Sequence, residues 1–285
     1  MSFTTLITVA ELQQHLNNPF FIVLDCRSEL TDPSAGAIAF AAGHIPGAQH
    51  ADPDQHLSNK AAGPNGEFRG RHPLPTPADF VETLRGWGVY PNSQVIAYDA
   101  HGGMFAARLW WMLRWVGHKS VAVLDGGLQA WQAAGGELTP ATINRSRGSI
   151  TLQPALVGTV SADDVLANLS ARARQVLDAR AADRFRGENE TIDPVAGHIP
   201  GAKNRWFKDN LGADGFFKGA GKLRAEYMAL IKQPEHTIMQ CGSGISACHN
   251  LLAMEIAGLP GALLYPGSWS EWSADPSRPV ALGAN

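Results

Sequence analysis

Three shortages in this sequence each argue against a class of protein. The 285 residues hold three cysteines, Cys26, Cys241 and Cys248, too few and too widely spaced for a disulfide framework, which favours a reducing compartment such as the cytoplasm. The net charge is −3 and no basic run occurs, so neither nucleic acid nor an anionic membrane is an expected partner. No apolar run approaches the roughly 20 residues that cross a bilayer. What remains is a globular chain long enough for two domains.

A duplicated pattern runs through the chain. The hexapeptide GHIPGA occurs at residues 43–48 and again at residues 197–202, and a Leu-Asp-x-Arg run stands upstream of each copy. Each half also opens with a hydroxyl residue, Thr8 or Ser161, placed as an N-cap before an apolar-periodic segment. Because these landmarks keep their order, the sequence predicts two copies of one domain.

The two copies are joined by a stretch that lacks steady periodicity. It contains Pro140, Gly148 and Pro154 and is typical of a linker along the surface. The predicted limits are a first domain at residues 1–139, a linker at residues 140–158 and a second domain at residues 159–285.

Within each copy, short β-rich runs alternate with helical patterns. In the first copy, residues 20–24, 95–98 and 121–124 are predicted strands, and residues 78–87 and 105–116 are predicted helices. Such alternation predicts an α/β fold in which each domain has a mainly parallel sheet with helices on both faces. Ligands of such sheets bind beyond the carboxyl ends of the strands.

Cys241 stands at a predicted strand-to-helix turn of the second copy. An apolar run ends at this residue, Gly242 and Gly244 follow, and residues 247–257 have helical spacing. The glycines allow successive N–H groups to point inward, and the helix adds its positive N-terminal end. Such a field favours the thiolate, which is the nucleophilic form of cysteine.

Other interpretations of Cys241 are possible from the residues alone. Many free cysteines are small buried hydrophobes, and the Gly-x-Gly frame argues against that role here. Cys248 and His249 offer further soft ligands, but they are adjacent on a helix and no CxxC completes a metal site. A cysteine phosphatase needs an arginine to close the loop, and this chain has Ala247 there. In the first copy the matching residue is Asp99, which has no thiol, so that domain is not expected to be catalytic by this route.

The loop from Cys241 to Ala247, together with the motif GSWSEW at residues 267–272, resembles the active-site loop and C-terminal signature of the tandem-domain rhodanese family. Within that family the loop is similar to that of the 3-mercaptopyruvate sulfurtransferases. The resemblance implies two tandem rhodanese-like domains, a persulfide on Cys241 and no metal or organic cofactor. The backbone of the loop would stabilise the sulfur anion, through residues Gly242, Ser243, Gly244, Ile245, Ser246 and Ala247.

The resemblance also implies residues that bind the sulfur donor. Arg184 matches an arginine that precedes the second GHIPGA copy in the family. A second arginine, usual a few residues later, is missing from residues 190–194, and Arg186 or Arg205 is the expected substitute because a guanidinium can bind a carboxylate from several directions.

A proton relay is implied as well. Its members would be Asp54, His72 and Ser243, with Asp52 as the alternative to Asp54. Such a set can move a proton to the pyruvate enolate or hold the donor thiol.

The expected activity is transfer of sulfur from 3-mercaptopyruvate through Cys241 to cyanide or to a thiol such as reduced thioredoxin. Thiosulfate sulfurtransferases carry basic residues directly after the cysteine, whereas this chain has the neutral Gly242 and Ser243. Two alternatives stay open: thiosulfate:cyanide transfer by the same cysteine, and a non-catalytic sulfur or redox sensor that uses the thiol.

Overall fold

The chain is divided into two compact units. The computed structural model describes residues 2–64 and 66–284. The first unit comprises residues Met1–Asn59, Pro75–Leu156 and Ala213–Phe217, and the second comprises Lys60–Leu74, Val157–Gly212 and Lys218–Asn285. The stretch Lys60–Leu74 therefore packs with the second unit, although it precedes much of the first unit in sequence.

The first unit is built on a parallel sheet of five strands. The strands lie in the order β1-β5-β4-β2-β3, and every neighbouring pair is parallel. The elements in chain order are β1 (Leu6–Ile7), α1 (Val9–His15), β2 (Phe21–Asp25), α2 (Ala35–Ala42), β3 (Ala48–His50), α3 (Pro77–Gly86), β4 (Gln94–Tyr98), α4 (Ala106–Trp115), β5 (Val121–Leu124) and α5 (Gly127–Ala133).

Helices cover both faces of this sheet. Alternate strand residues, such as Val23 of β2 and Tyr98 of β4, form one buried cluster with side chains of α1, α2 and α5. The intervening strand residues are also buried, and α4 packs against β4 and β5. The predicted α/β fold with a parallel sheet is therefore confirmed.

The second unit repeats this plan with four parallel strands in the order β7-β6-β8-β9. Short 3₁₀ helices occur at Phe207–Asn210 and Pro234–His236. The other elements are α6 (Ala162–Ala171), β6 (Gln175–Asp178), α7 (Ala182–Arg186), β7 (Lys203–Asn204), α8 (Ala220–Met228), β8 (Thr237–Gln240), α9 (Ser246–Ile256), β9 (Leu263–Leu264) and α10 (Ser268–Trp272).

The repeated Leu-Asp-x-Arg run forms the same buried brace in each unit. The Arg27 guanidinium donates to the Asp25 carboxylate at 2.6 Å and to the carbonyl before the GHIPGA histidine at 2.7 Å. Arg180 makes both bonds at 2.7 Å, to Asp178 and to the corresponding carbonyl. Each charge is buried beside its partner, so the pair ties the end of a central strand to the following motif.

The histidine of each GHIPGA copy also has a structural role. His44 stacks on Phe40 and His198 stacks on Phe185, both with ring centroids 3.8 Å apart. Each Nδ1 bonds at 2.8 Å to the backbone carbonyl of the residue on which the ring stacks. Burial lowers the pKa of His198 below its ordinary value, because the charged ring would lose its hydration. The identical hexapeptides therefore reflect identical packing.

The predicted linker is pinned to the first unit along most of its length. The N–H groups of Gly148, Ile150 and Gln153 donate to backbone carbonyls of that unit at 2.8 to 3.1 Å. Ile150 is buried, so this segment contributes to packing. None of the helices described between residues 2 and 284 is both long and apolar enough to cross a membrane.

Candidate active site

Cys241 directly follows β8, one of the two central strands of the second unit's sheet. The residue is 2% exposed. Its Sγ accepts a hydrogen bond from the Gly244 N–H at 3.1 Å. The helix α9 begins at Ser246, so its first N–H groups, which have no acceptor within the helix, lie in the same loop. The thiol therefore stands at the carboxyl end of a strand and beside the N-terminal end of a helix, as the sequence predicted.

The C-terminal motif holds the backbone of this loop. The Cys241 N–H donates to Ser268 Oγ at 3.1 Å, and the Cys241 carbonyl accepts from the Trp269 N–H at 3.0 Å. The next carbonyl, that of Gly242, accepts from the Ser270 N–H at 2.9 Å. Three consecutive residues of the motif thus fix the position of the nucleophile's backbone, which explains why the two motifs occur together.

Gly244 allows the loop to turn. Its φ is +78°, in the left-handed region that favours glycine. A Cβ at this position would collide with the carbonyl oxygen of Pro266. This turn directs the Gly244 N–H at Cys241 Sγ, so the thiol environment depends on a residue without a side chain.

The corresponding strand-to-helix loop of the first unit surrounds the side chain of Asp99. Asp99 follows β4 as Cys241 follows β8, and its carboxylate accepts four backbone N–H groups at 2.8 to 2.9 Å. Those donors are His101, Gly103, Phe105 and Ala106. Asp99 is fully buried, so this cradle stabilises a negative charge without water. A strand-to-helix loop of this chain thus directs four backbone donors at one acidic side chain in its first copy.

Ser243 and His72 are brought together. His72 Nδ1 lies 2.7 Å from Ser243 Oγ, and Ser243 is 5% exposed. His72 belongs to the segment Lys60–Leu74 of the second unit. Two members of the predicted relay are thus in hydrogen-bond contact two residues from the nucleophile.

Asp54 lies in the first unit and is half-buried. Its N–H donates to Asp52 Oδ1 at 2.7 Å, and the Gln55 N–H donates to the same oxygen at 3.0 Å. Asp52 is therefore engaged in a local turn. The role of Asp54 in the relay stays a prediction.

Two guanidinium groups lie over the loop. A Cβ built on Gly242 would be 2.8 Å from Arg71 Nη2 and 3.7 Å from Arg184 Nη2. Arg184 donates to Glu190 at 2.9 Å and to Asp193 at 3.1 Å, and Arg71 forms an ion pair with Asp193 through Nη1. Burial raises the pKa of Glu190, but the bonds that Arg184 and the backbone donate lower it more, so the group is held ionised.

The other two predicted donor-binding arginines are engaged elsewhere. Arg186 binds Glu188 at 2.7 Å in an exposed ion pair at the end of α7. Arg205 donates to Glu226 at 2.6 Å and lies over the Tyr227 ring at 5.1 Å. Neither contact involves the loop after Cys241.

The remaining cysteines are buried. Cys248 Sγ donates to the Gly244 carbonyl at 3.3 Å. The N–H of the same glycine donates to Cys241 Sγ. Burial is the main cause that raises the pKa of Cys26 well above its ordinary value, and the neighbouring Asp99 and Asp25 charges add to it. Cys26 is therefore protonated and packed as a small apolar residue.

Comparison with known proteins decides the family. Residues 8–134 and 161–275 each match the rhodanese-like domain. The chain belongs to the rhodanese family. A relative from Pseudomonas aeruginosa named "Probable 3-mercaptopyruvate sulfurtransferase" is 47% identical over 99% of this chain and 100% of its own.

Other members differ in the donor that their names give. A thiosulfate sulfurtransferase of Mus musculus is 36% identical over 74% of this chain and 73% of its own length. The structure of a 3-mercaptopyruvate sulfurtransferase from Leishmania major superposes with a TM-score of 0.82 at 30% identity, covering 95% of this chain and 74% of that one. Both donors thus occur among rhodanese relatives of this chain.

The sequence analysis missed two residues of the site. They are Arg71, directly before His72, and Asp193, in the stretch that lacks the second arginine. No sequence signal identifies this pair, because the burial of Asp193, which calls for a cationic partner, is known only from the fold.

Proposed function

We propose that this protein is a sulfurtransferase that moves a sulfane sulfur from 3-mercaptopyruvate, through a persulfide on Cys241, to a thiol or to cyanide. The observation that carries the proposal is the setting of Cys241 Sγ. It receives a backbone N–H at 3.1 Å, Ser243 with His72 stands two residues away, and two guanidiniums lie over the intervening glycine. A nucleophile, a proton carrier and cations that can bind an anionic donor thus meet at the loop after Cys241.

The first half-reaction is a displacement at sulfur. The Cys241 thiolate attacks the donor sulfur, an S–S bond forms, and the donor C–S bond breaks with its electron pair going to carbon. The enolate of pyruvate leaves. The proton of the donor thiol then passes to the enolate carbon. Ser243 and His72, 2.7 Å apart, are the groups that would carry this proton. The products are a persulfide anion on Cys241 and pyruvate, whose methyl group has received the proton.

The persulfide anion would be stabilised by the loop backbone. Gly244 already donates to Sγ, and the start of α9 adds oriented N–H groups and the positive end of the helix. The first unit supports this role, since there a similar loop directs four backbone N–H groups at the Asp99 side chain.

The second half-reaction returns the enzyme to its starting state. A thiolate or cyanide attacks the outer sulfur, the S–S bond breaks, and the electron pair returns to Cys241. The acceptor leaves as a persulfide or as thiocyanate. A reduced protein thiol such as that of thioredoxin fits this step, and the buried reduced cysteines fit a reducing compartment such as the cytoplasm.

Thiosulfate is the second candidate donor, and one observation favours it. The Arg71 and Arg184 guanidiniums over Gly242 would suit a dianion, and a relative from Mus musculus is named a thiosulfate sulfurtransferase. The neutral residues after Cys241 favour 3-mercaptopyruvate, because they leave the loop itself without side-chain cations.

The test is to measure kcat/KM for both donors on one preparation, with Cys241→Ser as the blank. We expect 3-mercaptopyruvate to exceed thiosulfate at least tenfold, about 1.4 kcal/mol of transition-state discrimination. A preference for thiosulfate would assign the second candidate. Release of at most one equivalent of pyruvate, with acceptor present, would identify a sensor that forms the adduct once and would refute sulfur transfer.

A further inference from the structure

The contact between His72 and Ser243 joins two segments that are far apart in sequence. Ser243 belongs to the loop after Cys241, and His72 belongs to the segment Lys60–Leu74. We propose that Ser270 is a positioning residue that holds these two segments against each other, so that His72 Nδ1 stays in contact with Ser243 Oγ. The inference rests on the proposed function, because it concerns the proton carrier of that reaction.

The backbone of Ser270 binds the loop that carries Ser243. Its N–H donates to the Gly242 carbonyl at 2.9 Å, and Gly242 directly precedes Ser243. Because a peptide unit is planar, this carbonyl, the Ser243 nitrogen and the Ser243 Cα lie in one plane. The bond therefore fixes the point from which the Ser243 side chain starts.

The side chain of Ser270 binds the segment that carries His72. Its Oγ accepts the Arg71 N–H at 3.1 Å, and Arg71 directly precedes His72. The hydroxyl proton is donated to the Gly267 carbonyl at 3.1 Å, which leaves the oxygen lone pairs for Arg71. Ser270 is 4% exposed, so water does not compete for these bonds. One residue thus holds the backbone directly before each member of the pair.

A glycine lets the two segments approach this closely. Gly70 has a φ of +92°, in the left-handed region that favours glycine. A Cβ there would lie 2.7 Å from the Gly267 carbonyl oxygen and 3.1 Å from Ser270 Oγ. The segment Lys60–Leu74 therefore lies directly on the C-terminal motif, with Ser270 at the point of contact.

The proton carrier depends on this placement. Proton transfer between two side chains needs heavy atoms within about 2.6–3.2 Å of each other, and His72 Nδ1 lies 2.7 Å from Ser243 Oγ. Another contact of this segment is the ion pair of Arg71 with Asp193, which is made by the end of a long side chain. That pair can keep the segment attached, but it does not fix the backbone before His72. The bond to Ser270 does.

The test is to remove the side-chain contact and keep the backbone contact. Ser270→Ala keeps the N–H that binds Gly242 and loses the oxygen that accepts from Arg71. With 3-mercaptopyruvate we expect kcat to fall about 5- to 10-fold and KM to stay within about threefold, because the lost contact acts on proton transfer. Ser273→Ala is the matched control, since Ser273 caps the same helix and its buried hydroxyl has no hydrogen-bond partner among the described residues.

A second donor separates proton transfer from attack by Cys241. Thiosulfate releases sulfite as an anion, so no carbon has to be protonated when the persulfide forms. In a single turnover with thiosulfate, Ser270→Ala should therefore change the rate of persulfide formation by less than about twofold. A loss as large as that with 3-mercaptopyruvate would show that Ser270 acts on Cys241 itself and would overturn the proposal.

A double variant decides whether Ser270 acts through His72. If it does, Ser270→Ala should change kcat with 3-mercaptopyruvate by less than about twofold once His72→Ala is present. A second 5- to 10-fold loss in that background, or an unchanged kcat in Ser270→Ala alone, would overturn the positioning role. This comparison needs only 3-mercaptopyruvate, so it holds whatever the rate with thiosulfate. Failure of the wild-type protein to release pyruvate from 3-mercaptopyruvate would instead refute the proposed function, so the two failures are distinguishable.

Discussion

The two glycines after Cys241 should respond very differently to alanine. Gly244 has a φ of +78°, and a Cβ there meets the Pro266 carbonyl oxygen, which belongs to the backbone and cannot rotate away. Gly242 lies outside the left-handed region, and a Cβ there meets Arg71 Nη2 at 2.8 Å, the far end of a flexible side chain. The same substitution, two residues apart, therefore tests two separate properties of the loop.

The expected magnitudes follow from these contacts. A left-handed conformation costs a non-glycine residue about 1–2 kcal/mol, and an added methyl against fixed backbone costs about 1–3 kcal/mol. We expect Gly244→Ala to lower the free energy of unfolding of the second unit by about 2–5 kcal/mol in total. Gly242→Ala carries neither cost and should stay within about 1 kcal/mol of the wild type.

The two alanine variants should also differ in their kinetics. Gly244→Ala displaces the N–H that faces Cys241 Sγ, so formation of the persulfide in a single turnover should slow even at saturating donor. Gly242→Ala displaces Arg71, so it should raise KM for 3-mercaptopyruvate and leave the saturated rate closer to that of the wild type. Urea denaturation and rapid-quench detection of pyruvate measure the two properties. If the two variants differ by less than about 0.5 kcal/mol in stability, the argument from φ and the Pro266 contact is wrong.

Two further predictions concern groups outside the catalytic loop. Burial lowers the pKa of His198 below 6.5, so the unfolded chain takes up the proton first, and the free energy of unfolding should fall as pH drops below 6.5. His198→Asn should reduce the dependence of the free energy of unfolding on pH, by at most about 1.4 kcal/mol per pH unit. Denaturation series at several pH values measure this dependence. If it is unchanged in the variant, His198 is not its cause. Asp99→Asn turns an amide N–H₂ towards backbone donors such as Phe105 and Ala106, and should destabilise the first unit by about 2–4 kcal/mol. Persulfide formation on Cys241 should persist in that variant, and its loss would show that the first copy takes part in the chemistry.

Local patterns in the sequence predicted the elements and the position of Cys241. The strand and helix that flank Cys241 are confirmed as β8 and α9, because apolar periodicity and glycine placement are properties of neighbouring residues. The duplicated GHIPGA hexapeptide correctly predicted two copies of one α/β fold. Its histidines could not be recognised as packing residues from sequence, since their partners are set by the fold.

The contacts of the arginines could not be predicted from the sequence. Arg186 and Arg205 lie near the missing position along the chain and their role in donor binding stays a prediction, because proximity in sequence does not set the direction of a side chain. Arg71 is separated from Asp193 by 122 residues, and only the packing of Lys60–Leu74 with the second unit brings them together.

The two copies of the domain differ in one way that bears on how the chemistry arose. After its central strand, the first copy has Asp99, whose side chain accepts hydrogen bonds from four backbone N–H groups. The second copy has Cys241, with a backbone N–H on its sulfur and the start of a helix in the same loop. A field that favours an anion is thus a property of the strand-to-helix backbone, independent of the side chain that uses it. What distinguishes the second copy is a polarizable thiol in that field and two guanidiniums, of Arg71 and Arg184, over the loop that follows it.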